Sequence, residues 1–187
     1  MTFTALQKAA LTRFAEQGFS GTSLAQIASD VGIKPPSIYA HFKNKEELFI
    51  SLVDPAVDAE LAYVRKALSE KDGGEKMLAG FLRGIERRFE SGSMLKFLLH
   101  SVYLTPGQVS VEVDKSLKRY MNGLDKIMRD VFQFLPPGRL PPETLAVAYA
   151  GIVDSLQAEI LYGGKRRFRK RLEALWAVFR LALGQQF

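Results

Sequence analysis

Thr22 to Phe42, TSLAQIASDVGIKPPSIYAHF, decides the architecture of this chain. Ser23 followed by Leu24, Ala25 and Gln26 is a serine N-cap with glutamine three residues on, which satisfies two orphan amide donors reciprocally. A helix therefore opens near Ser23. Leu24, Ile27, Ala28 and Val31 recur at spacings of three and four, so one apolar stripe faces a core, and the helix ends at Val31 or Gly32, where glycine makes a left-handed backbone cheap. Ile33 is expected to plug inward. Pro35 suits a first helical position, which needs no amide proton, and Ile38 with Phe42 makes the packed side of a further helix of about seven residues. Ser37, Tyr39 and His41 are left pointing outward.

A helix of that length spans only roughly 10 Å at about 1.5 Å per residue, so its neighbours have to hold it. A short, propped helix with a polar outer face suits the major groove of DNA, which admits one α-helix and offers it base edges. The same geometry fits a helical hairpin in which Tyr39 and His41 are ordinary surface residues.

A longer pattern bears on that choice. Ala9-Ala10-Leu11, Phe14-Ala15, Gly18-Phe19, Thr22-Ser23, Ile27-Ala28, Gly32-Ile33, Tyr39, His41-Phe42 and Lys45-Glu46 with Leu48, over roughly residues 5 to 53, resembles the DNA-binding domain of the TetR (tetracycline repressor) family of bacterial transcription regulators. The resemblance implies an all-α fold, with an N-terminal three-helix helix-turn-helix domain over residues 1–46 and a C-terminal helical effector-binding and dimerisation domain over 47–187. It further implies that Tyr39, His41 and Lys45 hold DNA phosphates, that Thr22 or Ser23 touches the backbone, and that Lys34 and Ser37 sit nearest the bases. Pro35 stands where that family commonly has lysine, Pro36 where it has glycine, and Ala40 in place of a frequent arginine. Readout is then expected to lean on Lys34, Ser37 and contact between a proline ring and a thymine methyl.

At 187 residues the chain holds one domain or two small ones and can bury about 70% of its unfolded surface without disulfides. It has no cysteine, no apolar run of about eighteen residues and no signal-peptide pattern, so a cytoplasmic protein with no membrane partner is expected. The net charge of +6 invites a nucleic-acid reading, but its placement does not support one. Residues 1–54 are formally neutral, with Lys8, Arg13, Lys34, Lys43 and Lys45 against Glu16, Asp30, Glu46, Glu47 and Asp54. The excess lies in residues 163–187, mostly in the run Lys165-Arg166-Arg167-Phe168-Arg169-Lys170-Arg171. That run is a solvated helix start, a surface for acidic residues of a partner subunit, or a contact for flanking DNA phosphates.

Beyond the expected reader, a helix opens with Asn44 as cap and runs through Leu48, Leu52, Val57, Leu61, Val64 and Leu68 to a break at Asp72-Gly73-Gly74. Within it Asp54-Pro55 has the form of a second cap followed by a first-turn proline, so a kink or restart is expected, either a hinge or a harmless bend. Further helices follow from about Glu75 to Glu90, from Met94 to Leu104, and through Val113 to Leu135, where Pro136-Pro137-Gly138 stops the chain.

The last two helices, about 142–162 and 166–183, carry apolar stripes through Leu145, Tyr149, Ile152 and Leu156, and through Leu172, Leu175, Trp176 and Phe179. Two such helices from each subunit would build a four-helix bundle in a homodimer, unless the stripes pack only within one protomer. A small-molecule pocket, again implied by the resemblance, has Phe81, Phe89, Phe97, Tyr103, Met121, Met128 and Tyr149 as aromatic and sulfur candidates. His100, Asp154 and Gln157 are its polar ones. With two histidines, no cysteine and no GxSxG, P-loop or HExxH sequence, neither a metal site nor an enzyme is expected, and no cofactor is called for.

These readings combine into a homodimeric regulator of a pseudo-palindromic double-stranded operator, a repressor released by an unknown small-molecule effector. The alternative is a DNA-binding regulator or interaction dimer with a filled core and no effector.

Overall fold

The computed structural model describes residues 4–69, 74–136 and 138–184, apart from the side chain of Gln108. The expected breaks at Asp72-Gly73 and Pro137 lie outside the described residues. Among those residues the regular structure is helical throughout. The helices are α1 (Ala5–Gln17), α2 (Leu24–Asp30), α3 (Pro35–Ile38), α4 (Lys45–Ala67), α5 (Gly74–Ser91), α6 (Ser93–Tyr103), α7 (Ser110–Phe134), α8 (Pro142–Tyr162) and α9 (Gly164–Ala182). A single 3-10 turn at Gly107–Val109 leads into α7.

Local signals set the starts of the N-terminal helices. Thr4 caps α1 and Ser23 caps α2, each in a reciprocal capping box with the glutamine three residues on. Asn44 caps α4 by accepting the Glu47 amide at 2.8 Å, and Glu47 in turn accepts the Lys43 amide at 2.7 Å. α2 closes as expected: Gly32 takes φ +71°, and the Ile33 amide donates to the Ala28 carbonyl at 3.0 Å. That turn leaves Ile33 37% exposed, so it does not plug the core. α3 is also shorter than expected. After Ile38 the chain continues as a turn in which the His41 and Phe42 amides both donate to the Ile38 carbonyl at 2.9 Å.

The chain separates into two compact units. The first comprises the described residues up to Glu60 together with Glu90–Arg119, so residues 1–46 do not form a compact unit of their own. Its centre is an aromatic cluster in which Phe14, Phe19, Phe49 and Phe97 lie 5.1 to 6.4 Å apart, ring to ring. Ile27, Ala28, Ile38, Leu48 and Leu52 are fully buried around it. Arg13 grips Asp30 with two hydrogen bonds of 2.6 and 2.7 Å, tying α1 to α2. α4 runs unbroken through Pro55. Arg119 of α7 binds both Asp54, at 2.8 Å, and Asp58, one turn apart, so α4 is braced on both sides of the proline.

The second unit, Leu61–Phe89 with the described residues from Tyr120 onward, packs α5, α8, α9 and parts of α4 and α7. Tyr149 is fully buried at its centre among Phe81, Phe132 and Phe179, and donates to the Leu78 carbonyl at 2.7 Å. α8 is long and apolar enough to cross a bilayer by length and composition, with 21 residues and a mean hydropathy of 1.2. Half of it is buried within the protein, and Gln157 and Glu159 are buried with it, as in a core helix.

Candidate nucleic-acid interface

α3 is held from below by Ile38, which is completely buried, and begins with two prolines whose missing amides leave no orphan donors. Everything else on it faces water. Lys34, Pro35, Pro36, Ser37, Tyr39 and His41 are all exposed, Tyr39 by 59%, and Ser23 is exposed at the start of α2. Six neighbouring residues therefore offer an ammonium, an imidazole, a phenol, a hydroxyl and two proline rings from a segment of fixed backbone.

Two residues expected at this surface are engaged elsewhere. Thr22 is only 2% exposed and its hydroxyl donates to the Gly18 carbonyl at 2.8 Å, so its side chain closes the α1–α2 turn and does not reach outward. Lys45 donates from Nζ to the Phe19 and Thr22 carbonyls at 2.8 and 3.0 Å, with its ammonium 4.2 Å from the centre of the Phe19 ring.

Residues 6–52 match the sequence model of the bacterial regulatory proteins, tetR family. The chain is 30% identical over 83 residues to the biofilm operon icaADBC HTH-type negative transcriptional regulator IcaR of Staphylococcus epidermidis, covering 43% of this chain and 45% of that protein. It is 28% identical over 193 residues to the HTH-type transcriptional regulator TcmR of Streptomyces glaucescens, covering 86% of this chain and 85% of that one. The crystal structure of the transcriptional regulator FadR from Bacillus subtilis in complex with stearoyl-CoA superposes with a TM-score of 0.65 at 19% identity, over 97% of this chain and 98% of that one.

Over residues 6–52 the chain is similar to the TetR family. The match to IcaR spans less than half of that protein, whereas the fold likeness runs the length of this chain.

The expected effector residues are divided between the two units. Phe97, His100 and Tyr103 belong to the first unit, and Phe81, Phe89, Met121, Met128, Tyr149, Asp154 and Gln157 to the second. Phe81, Phe97, Met128 and Tyr149 are tightly buried core, whereas Met121 is 39% exposed. The second unit has a cavity of about 290 Å³ lined by Leu68, Met77, Ile127 and Val131 together with Arg65 and Asp130. In the first unit His100 edges a cavity beside Phe14 and Phe49. Burial pushes the His100 imidazole below its ordinary pKa of 6.5; a bond to the Phe14 carbonyl opposes that shift and Lys96 adds to it.

The expected dimer stripe also needs correction. Leu145, Tyr149, Ile152, Leu156 and Phe179 are buried within the protomer, so they cannot meet a second subunit. Leu172, Leu175 and Trp176 are half-buried. α8 is apolar on nearly every side, and its larger residues take the inner one. Outward on α8 lie Thr144, Val147, Ala148, Gly151 and Tyr162, and on α9 Ala174, Val178 and Leu181. Val147 is 67% and Val178 68% exposed. The larger aliphatic stripe drew attention in the sequence; the spacing of three and four through the small residues was the available signal.

The basic run is largely spent. Arg167 and Arg171 both bind the buried Glu159 carboxylate, at 2.7 and 2.5 Å, and Arg169 binds Glu86 at 2.8 Å. A Cβ at Gly163 would collide with the Glu159 carboxylate, so a side chain there would force that carboxylate to move.

Proposed function

We propose that this chain is a sequence-specific DNA-binding transcription regulator that acts as a homodimer on a pseudo-palindromic operator, and that it is a repressor released by a small effector. The exposed row Lys34, Pro35, Pro36, Ser37, Tyr39 and His41, mounted on a helix too short to move independently, carries the reading. Ser23 is exposed beside this row, with its hydroxyl held in the capping box with Gln26. Selecting bound sequences from random double-stranded DNA tests it. Enrichment of two inverted half-sites about one helical turn apart is expected; a pool with no enriched sequence overturns the reading.

A second copy is the partner that the outward apolar residues of α8 and α9 fit, since small side chains at spacings of three and four let helices approach closely. Sedimentation as a monomer at micromolar concentration would remove this part.

The effector is supported by the cavity beside Met77 and Ile127, whose apolar walls match a ligand with an apolar body, and whose lining also includes one cation, Arg65, and one anion, Asp130. The fold neighbour bound to stearoyl-CoA makes acyl thioesters the first compounds to try, and IcaR is the precedent for negative regulation. An effector can shift a regulator only by its differential affinity for the DNA-bound and free arrangements. Loss of operator binding on adding an acyl thioester is the expected result. One observation favours a regulator without an effector: the second unit's interior is filled by Phe81, Phe132, Tyr149 and Phe179. Thermal stabilisation by no compound in a broad library would decide for it.

A further inference from the structure

We propose that the cavity beside His100 in the first unit is a small-molecule site in its own right, taking an uncharged, mainly aromatic compound that presents one N–H or O–H donor to His100 Nδ1. It shares no lining residue with the cavity beside Met77 and Ile127, and its test needs no DNA.

The cavity holds about 550 Å³, within the roughly 300–1,000 Å³ usual for ligand sites. Three parts of the unit wall it: Phe14 and Phe19 from α1 and the turn after it, Phe49 from α4, and His100, Leu104 and Pro106 from α6 and the loop beyond. The three phenyl rings stand 5.1 to 6.0 Å apart and are all buried, so they give a fixed aromatic wall. Leu104 is 54% exposed and leaves the cavity open to solvent on its side.

His100 sets the polar requirement. One ring nitrogen donates to the Phe14 carbonyl and so carries the proton, while Nδ1, buried and without a hydrogen-bond partner among the described residues, is left as an acceptor. Burial pushes the pKa below 6.5, which keeps the ring neutral at neutral pH. A lone water answers that nitrogen poorly, because an enclosed water usually makes about three hydrogen bonds. The Phe14, Phe49 and Leu104 side chains of the wall offer none, and the Phe14 carbonyl already accepts from the Gly18 amide at 3.1 Å as well as from His100. Glu16 and Ser20 also line the cavity, but both are exposed. A donor carried on an aromatic ring meets both features at once: the ring packs on the phenyl wall and the donor reaches Nδ1.

Nearby charge favours a neutral ligand. Lys96 acts on His100, adding to the fall in its pKa, and the Lys45 ammonium stands 4.2 Å from the centre of the Phe19 ring, so a cationic amine would meet like charge. A carboxylate has no proton to offer and would face the Nδ1 lone pair.

Indole is the probe, with 1-methylindole, the same ring system without its N–H, as the control. Nitrogen-15 NMR of protein labelled at histidine reads the site directly, because the exposed His41 is the chain's one other histidine and serves as internal reference. In free protein His100 should carry its proton on Nε2; a proton on Nδ1 overturns the proposal. Indole at millimolar concentration is expected to move the His100 Nδ1 resonance and not those of His41. It should bind about tenfold more tightly than 1-methylindole, the effect of leaving one buried acceptor unmet. Equal affinity for the two compounds, or no movement at His100, overturns the proposal.

Two variants place the compound. Leu104→Trp puts a large side chain into the cavity and leaves the His100 bond to Phe14 in place, so it is expected to abolish the indole effect. A His100 shift, or thermal stabilisation by indole, that survives in this variant overturns the site. His100→Leu keeps an apolar wall but loses the acceptor, and is expected to bind indole and 1-methylindole equally; a surviving preference for indole overturns the role of Nδ1. Should His100→Leu fail to fold, the tautomer of the wild type and the Leu104→Trp result decide.

Discussion

The two compact units put opposite chemistry on their outer faces. In the first, α2 and α3 bury Ile27 and Ile38 fully and leave polar groups in water, with Ser23, Lys34, Ser37 and His41 exposed. In the second, α8 and α9 leave Val147, Tyr162 and Val178 in water and bury a carboxylate, Glu159, between two arginines. A polar face with one ammonium at its edge is suited to a hydrated, anionic partner. An apolar face of small residues is suited to another protein surface, and burying Glu159 keeps that face from carrying a free negative charge.

The largest effect should come from breaking the first unit's inward side. Ile38→Ala empties a fully enclosed site, and such truncations cost roughly 2–5 kcal/mol. Operator binding should be lost and amides of α2 and α3 should exchange rapidly, while amides around Tyr149 keep their protection. Hydrogen exchange followed by mass spectrometry reads both. If the two units lost protection together, their separate construction would be wrong.

The outward side of the second unit is the next test. Val178→Glu sets a carboxylate on an exposed position, so the protomer should keep its stability to within about 0.5 kcal/mol. Self-association should fall by more than tenfold, seen as monomer in sedimentation at concentrations where the parent is a dimer, because a charge buried in an apolar interface has no partner. Leu156→Val, inside the core, should do the reverse, costing roughly 1 kcal/mol of stability with association unchanged.

Acid should pull the units in opposite directions. In the first, burial depresses the His100 pKa below 6.5, so the unfolded chain binds the proton more readily and stability falls as pH drops from that value through the folded one. In the second, burial with Asp125 nearby raises the Asp154 pKa above 3.8, so the folded form takes up the proton more readily. Its stability therefore rises as pH falls through the raised value, the gain being complete near 3.8. Residue-resolved hydrogen exchange at steps from pH 6.5 to 4.5, corrected for intrinsic rates, should show opening near α6 growing easier and opening near Asp154 growing harder. The same sign in both places would contradict the burial of one of these groups.

What the sequence disclosed follows the range of the interactions. The caps at Ser23 and Asn44, the left-handed turn at Gly32 and the proline start of α3 depend on residues within four positions of each other, and all four were legible. The bonds of Lys45 and Thr22 were not legible, because their acceptors are set by folding: the Lys45 ammonium reaches carbonyls 23 and 26 residues away. Distance also explains the dimer stripe. A helix with apolar residues on most sides does not state which side its own protomer will cover, and Leu145 and Phe179 went inside. Asp54-Pro55 looked like a break for a local reason, but Arg119, 61 and 65 positions away, spans it.

The smallest expected effect concerns the seven-residue basic run, the part of the chain whose charge most resembles a DNA surface. Arg167, Arg169 and Arg171 already hold Glu159 and Glu86, so their charge is largely matched within the unit. Arg166 and Lys170 are exposed, and a double Arg166→Gln, Lys170→Gln variant lowers the net charge without touching those pairs. If the reader's own cations meet the phosphates, the salt slope of operator binding should not change, and stability should move by less than about 0.5 kcal/mol. If α9 also lay on DNA, the slope would drop by about 1.8, twice the value for one phosphate. That result would break the comparison between the units, because the second would then bind an anion through the helix that also carries its apolar face.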